Sequence, residues 1–254
     1  MNSPEQLDFT KGLHILKDDI RQTRDLLNNL DTAITATRGK APKRESKSEK
    51  LDENLFRLQR DLLSQEASLA NPRKLTRKED RLEREAWLLW RSRPVDRAWE
   101  RLVTFQMPLQ NSREDKAWGK VDLVGMSLEG LPVVVELKAG GSRDPILQVM
   151  IQALAYGIAI QSSWPKLRPH WLKATSDLRS PLQLPEELVV CPLVCAAPPE
   201  YWDAAIKDLN QDLDQHALED LRELVKAFDS QGFPTSFLKL SRPTQSLVAE
   251  VFEL

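Results

Sequence analysis

Asp122 interrupts the apolar run of Val121, Leu123 and Val124, and Glu136 and Lys138 interrupt Val133, Val134, Val135 and Leu137. Charge set inside strand-like apolar sequence is costly unless it is paired or holds a cation. Side chains two apart on a strand share a face, so Glu136 and Lys138 point the same way. Two carboxylates offer the hard oxygens that suit Mg²⁺, an ion that retains waters and completes its shell with a phosphate. A cation held there would lower the pKa of a bound water and offset charge on a phosphate oxygen. Lys138 would add a positive charge able to orient or activate that water. The plainer alternative is a buried ion pair of Lys138 with Glu136 or Asp122, an arrangement that seldom gives net stability.

These residues need particular elements to bring them together. Leu102 to Leu109, Lys120 to Ser127 and Leu131 to Lys138 have the short, β-branched or alternating pattern of strands. For Asp122 to share a face with Glu136 and Lys138, the second and third strands must pair even residue with even residue. A two-residue turn at Glu129-Gly130 would break that parity, so an odd-numbered loop or a bulge is expected there. Asp144-Pro145 marks a helix start, with Asp as cap and Pro in first position, and the helix is expected to end near Gln161, before Trp164-Pro165. On it Gln148, Gln152 and Tyr156 fall four apart beside an apolar stripe of Leu147, Ile151, Leu154 and Ile158. Upstream, a helix capped near Asn71-Pro72 or Thr76 runs to about Trp90. Downstream, a strand is expected at 188–194, helices around 201–213 and 217–228, and a short strand at 236–240. The order is that of a small α/β sandwich.

The segments Gly119-Lys120-Val121-Asp122-Leu123-Val124, Val133 to Gly140, and Gln152-Ala153-Leu154-Ala155-Tyr156 resemble the successive motifs of the PD-(D/E)XK nuclease superfamily. The trailing Gln-x-x-x-Tyr is similar to that of its RecB-type branch. The resemblance covers Gly119 to Ile158. It implies a restriction-endonuclease-like αβββαβ core that hydrolyses phosphodiester bonds in nucleic acid, with DNA the expected substrate and endonucleolytic cleavage the expected mode. Mg²⁺ would be the cofactor, with Mn²⁺ able to substitute. Asp122, Glu136 and the Leu137 carbonyl would be the metal ligands, Lys138 the catalytic lysine, and Gln152 and Tyr156 the supporting pair. An acidic residue from the preceding helix often joins such a site. Glu85 is the first choice, followed by Glu83, with Glu100 a third option. The upstream segment has no histidine, and the cluster cysteines of some members are absent, so no iron–sulfur site is expected.

Before this core, Leu13, Leu16, Ile20, Thr23, Leu27, Leu30 and Ile34 form a heptad seam, and Leu51, Leu55, Leu58, Leu62 and Leu69 a second. The expected organisation is a helical hairpin or coiled coil over residues 1–71, with the nuclease-like domain over 72–254. The seams could close on each other, or pair with a second chain in a homodimer.

A hydrophobic share of 41% in 254 residues is enough for a real core, and 29% charged residues fit a solvated surface. Neither a membrane-spanning run nor a leader pattern stands out, so the expectation is a cytoplasmic protein without a membrane partner. The net charge of −2 argues nothing for nucleic acid. Its distribution does more: bases outnumber acids from Arg38 to Arg101, with clusters at Arg38/Lys40/Lys43/Arg44 and Arg73/Lys74/Arg77/Lys78 that could follow a phosphate backbone. Cys191 and Cys195 sit in an apolar run and read as buried thiols. His14, His170 and His216 are scattered. Gly140-Gly141 reads as a strand-to-helix loop, and Trp87, Trp90 and Trp99 as core. Two rivals remain at this point: a non-catalytic nucleic-acid or partner-binding module on the same fold, and a coiled-coil assembly adaptor.

Overall fold

The computed structural model describes residues 21–41, 78–109, 119–175, 184–211, 216–242 and 247–254. Among them are six helices: α1 (Arg21–Asn28), α2 (Leu30–Lys40), α3 (Lys78–Trp90), α4 (Ile146–Ala174), α5 (Pro199–Gln211) and α6 (Ala217–Ser230). Six strands form one mixed sheet: β1 (Arg101–Pro108), β2 (Lys120–Met126), β3 (Pro132–Leu137), β4 (Leu193–Ala197), β5 (Thr235–Ser241) and β6 (Val248–Phe252). They lie side by side in chain order. β3 and β4, and β4 and β5, run parallel, while the other neighbours are antiparallel.

Each face of the sheet has its own core. Val124, Val134, Leu193 and Phe237 pack under α4, α5 and α6 on one side. Leu123, Val133, Val135 and Leu137 pack under Leu82, Ala86, Trp87 and Trp90 of α3 on the other. Central strands buried on both sides are expected to be rich in β-branched residues, as β3 is. The tryptophans of α3 serve this second core: Trp87 tilts against Phe105, and Trp90 meets Trp99 edge to face.

The β2–β3 connection sets the parity on which the site depends. Val124 pairs with Val134 and Met126 with Pro132, even with even. Residues 127 to 131 connect them, an odd number, closed by the Ser127 N–H donating to the Leu131 carbonyl at 2.8 Å. Gly130 takes a φ of +82°, which a residue with a Cβ adopts only under strain.

Four expectations need correction. The helix after β3 does not stop at Gln161 but runs to Ala174 through Pro165 and Pro169. A proline inside a helix costs about 3 kcal/mol. Burial of Trp164, Leu167 and Trp171, each worth roughly 2 kcal/mol, offsets that cost, and the Trp171 indole N–H donates to the Gly130 carbonyl at 2.8 Å. This helix is long and apolar enough to cross a membrane by length and composition, but 67% of its most apolar window is buried within the fold. Second, the fourth strand lies at Leu193–Ala197, not at 188–194; Val189 is 70% exposed, so its β-branched run was surface loop. Third, Asp144 is not the helix cap; Pro145 holds that position and makes no side-chain cap. Fourth, β6 was not anticipated.

Part of the N-terminal stripe falls among the described residues. Thr23, Leu30 and Ile34 are buried, as a seam requires, but Leu26, Leu30, Ala33 and Ile34 belong to the core shared with α4 and α6. Arg24 reaches Asp220 of α6 at 3.0 Å. Among the described residues, this part of the stripe packs on the main fold. Leu13, Leu16, Ile20, the seam from Leu51 to Leu69, the Asn71-Pro72 and Thr76 caps, and Lys43, Arg44, Arg73, Lys74 and Arg77 lie outside the described residues.

Candidate active site

Asp122, Glu136, Lys138, Gln152 and Tyr156 come together where β2 and β3 part. The antiparallel ladder ends at the Leu123–Val135 pair, and one residue further on the strands present Asp122 and Glu136 to each other. The Leu137 N–H, freed from the ladder, donates to Asp122 Oδ2 at 2.8 Å. A strand residue's N–H and C=O point to the same side, so the Leu137 carbonyl faces the same gap.

Lys138 Nζ donates to Glu136 Oε1 at 2.9 Å and to Gln152 Oε1 at 3.5 Å, and pairs with Asp144 Oδ2 at 3.3 Å. Gln152 Nε2 in turn donates to the Tyr156 hydroxyl at 3.0 Å. The α4 row spaced by four thus ends on the lysine, and Tyr156 Oη lies against Gly119 at the start of β2.

The other oxygen of Glu136, Oε2, is buried and receives no hydrogen bond from any donor. The Glu136 carboxyl also lies beside the second carboxyl, Asp122, with which it can share a proton. Burial pushes the Glu136 carboxyl up to about 7, against the pull of Lys138. Burial and then the Glu136 charge push Asp122 well above the usual carboxylate range. For Lys138, burial alone would lower the pKa, but Glu136, Asp122 and Asp144 more than reverse it, so the ammonium stays charged. Two buried carboxyls in contact need a proton or a cation between them.

Of the three upstream acids, Glu83 and not Glu85 stands at the cluster. Glu83 is buried, its carboxyl accepts a hydrogen bond from the Gln106 amide, and burial followed by the Asp122 charge pushes it up to about 7. Gln106 lies opposite Asp122 in the β1–β2 register, with a left-handed φ of +51°. Glu85, two residues on, points away and pairs with Arg242. Glu100 is placed at the far end of β2, where its N–H donates to the Met126 carbonyl at 2.7 Å. Helical spacing alone could not decide between Glu83 and Glu85; the sheet contact of α3 decides. In sequence the pair Asp144-Pro145 reads as a cap, which hides the contact of Asp144 with Lys138.

The donor set fits a Mg²⁺ ion of the open kind. Among the described residues no three His, Cys, Asp or Glu side chains form a ready-made cage. Mg²⁺, however, is usually held by one or two carboxylates with water and substrate phosphate supplying the rest. Here the donors would be Asp122, the orphaned Glu136 oxygen and the Leu137 carbonyl. Set against known protein families, characterised proteins and solved structures, the chain matches none.

Proposed function

We propose that this chain is a metal-dependent nuclease of the PD-(D/E)XK kind, RecB-type in its Gln152–Tyr156 pair, cutting phosphodiester bonds in DNA as an endonuclease. The observation that carries the reading is the buried, donorless oxygen of Glu136 in a carboxyl that lies beside a second buried carboxyl: a pocket with more carboxyls than its one lysine can balance. The order α3-β1-β2-β3-α4-β4 is the αβββαβ order such a core requires.

A bound Mg²⁺ or Mn²⁺ would supply Lewis-acid charge and a more acidic water. Asp122, Glu136 and the Leu137 carbonyl would hold it. Lys138, kept protonated by its acidic neighbours, lays a fixed positive charge beside the phosphate and stabilises the anion that forms there. Gln152 fixes the direction of that ammonium and Tyr156 fixes Gln152. Glu83, held by Gln106, keeps a proton or a negative charge on the other side of Asp122.

The reading is tested by incubating plasmid and single-stranded DNA with the protein in Mg²⁺, in Mn²⁺ and in EDTA, beside Lys138→Ala and Asp122→Asn. Cleavage is expected with either cation, is abolished by EDTA, and falls by at least about a hundredfold in each variant. Metal-dependent cleavage that persists unchanged in both variants would refute the assignment. No cleavage of any substrate would favour a binding module on the same fold.

A further inference from the structure

We propose that the Asp144 carboxylate occupies a phosphate subsite, standing on Lys138 in place of a backbone oxyanion and leaving when that oxyanion binds. This rests on the reading of the Asp122–Glu136–Lys138 cluster as a phosphodiester site. An ammonium has three hydrogen-bond donors, and around Lys138 three acceptors stand within reach: Glu136 Oε1, Gln152 Oε1 and Asp144 Oδ2. A phosphate can approach the lysine only by taking the place of one of them.

The three are not equally held. The Glu136 side chain is 1% exposed, and Gln152 is tied to Tyr156. The Asp144 side chain is 39% exposed. Its backbone is fixed: the Tyr201 hydroxyl donates to the Asp144 carbonyl at 2.8 Å, and the Asp144 N–H donates to Ser142 Oγ at 3.3 Å. The carboxylate can therefore swing off Lys138 by side-chain rotation alone, with the loop in place. Carboxylate and phosphate oxygens are the same class of ligand to a compact ammonium, so the direction of Asp144 from Lys138 marks the side from which the substrate strand arrives.

Binding of inorganic phosphate, and separately of a short oligothymidylate, is measured by calorimetry without divalent cation. The proteins are the wild type, Asp144→Asn, Asp144→Ser, Lys138→Met and Lys138→Met/Asp144→Asn, each checked for an intact thermal transition. Removing the competing charge is expected to tighten binding of both probes by about fivefold, with Ser matching Asn, and the gain is expected to vanish when Lys138 is Met. Unchanged or weaker binding in both Asp144 variants overturns the subsite, and so does a gain that survives the loss of Lys138. The outcomes separate the two readings. Tighter phosphate binding with no cleavage of any nucleic acid keeps the subsite and removes the nuclease. Cleavage by the wild type without any gain in the Asp144 variants does the reverse.

Discussion

β3 and β4 are parallel neighbours at the same depth, and one carries charge where the other carries none. Glu136 pairs in register with Cys195 and Leu137 with Ala196, and both strands are fully buried. β4 shows what this layer of the fold needs: small apolar side chains and nothing ionised. Its one thiol, Cys195, is held neutral by burial, with a further push from Glu136. Packing thus gives no reason for the Glu136–Lys138 pair one strand away, and a buried pair costs desolvation that its attraction rarely recovers. The difference is what the proposed metal site on β3 accounts for.

The sharpest way to break that comparison is to make β3 resemble β4. Lys138→Met alone leaves Glu136 buried without its cation, and is expected to cost about 3–5 kcal/mol in urea unfolding without metal. Replacing both, as Glu136→Met/Lys138→Met, is expected to restore stability to within about 1 kcal/mol of the wild type or better, while cleavage stays absent. A double variant as unstable as the single one would show that the pair holds the fold together, and the contrast with β4 would lose its meaning.

A smaller effect separates the strands by pH. Glu83 and Glu136 titrate at about 7 in the fold against 4.5 unperturbed. A raised carboxyl favours the folded state fully below the lower value and loses that contribution as pH climbs through the higher one. The gap corresponds to roughly 3 kcal/mol for one such group, and the two groups are close enough to Asp122 that their contributions do not add. The metal-free protein is therefore expected to melt at a lower temperature at pH 8 than at pH 5, and Glu83→Gln to flatten part of that fall. Mg²⁺ should raise the melting temperature at pH 8 and do little at pH 5, where protons hold the carboxyls. A flat profile would mean that the carboxyls are already compensated and the pocket lacks no charge.

How legible this was from sequence depends on the range of the interaction involved. The first three strands and the α4 row of Gln152 and Tyr156 could be read, because alternation and four-residue spacing are local properties. The even-with-even register was reachable too, since it follows from where Asp122 must lie. What escaped was decided by contacts distant in sequence. α4 outruns Pro165 because Trp171 finds the Gly130 carbonyl, 41 residues away. Glu83 displaces Glu85 because α3 lies on β1 with Gln106 beneath it. Asp144 reads as a cap until Lys138 is seen next to it, and the apolar stripe of residues 23 to 34 shows its partners only once α6 is seen against α1 and α4 against α2.

The smallest expected effect falls on β4 itself. Cys195→Ala removes one buried sulfur beside Glu136 and is expected to cost about 1 kcal/mol for the small void left, with no change in the pH profile. Both thiols should resist alkylation at pH 8 in the folded protein and react once it is unfolded, since burial keeps them protonated and out of reach. This is the control on which the contrast between the strands depends. Thiols that react in the native state as fast as in the unfolded one would mean that the layer around β4 is open to water. Glu136 at the same depth would then be solvated as well, and its charge would need no cation to explain it.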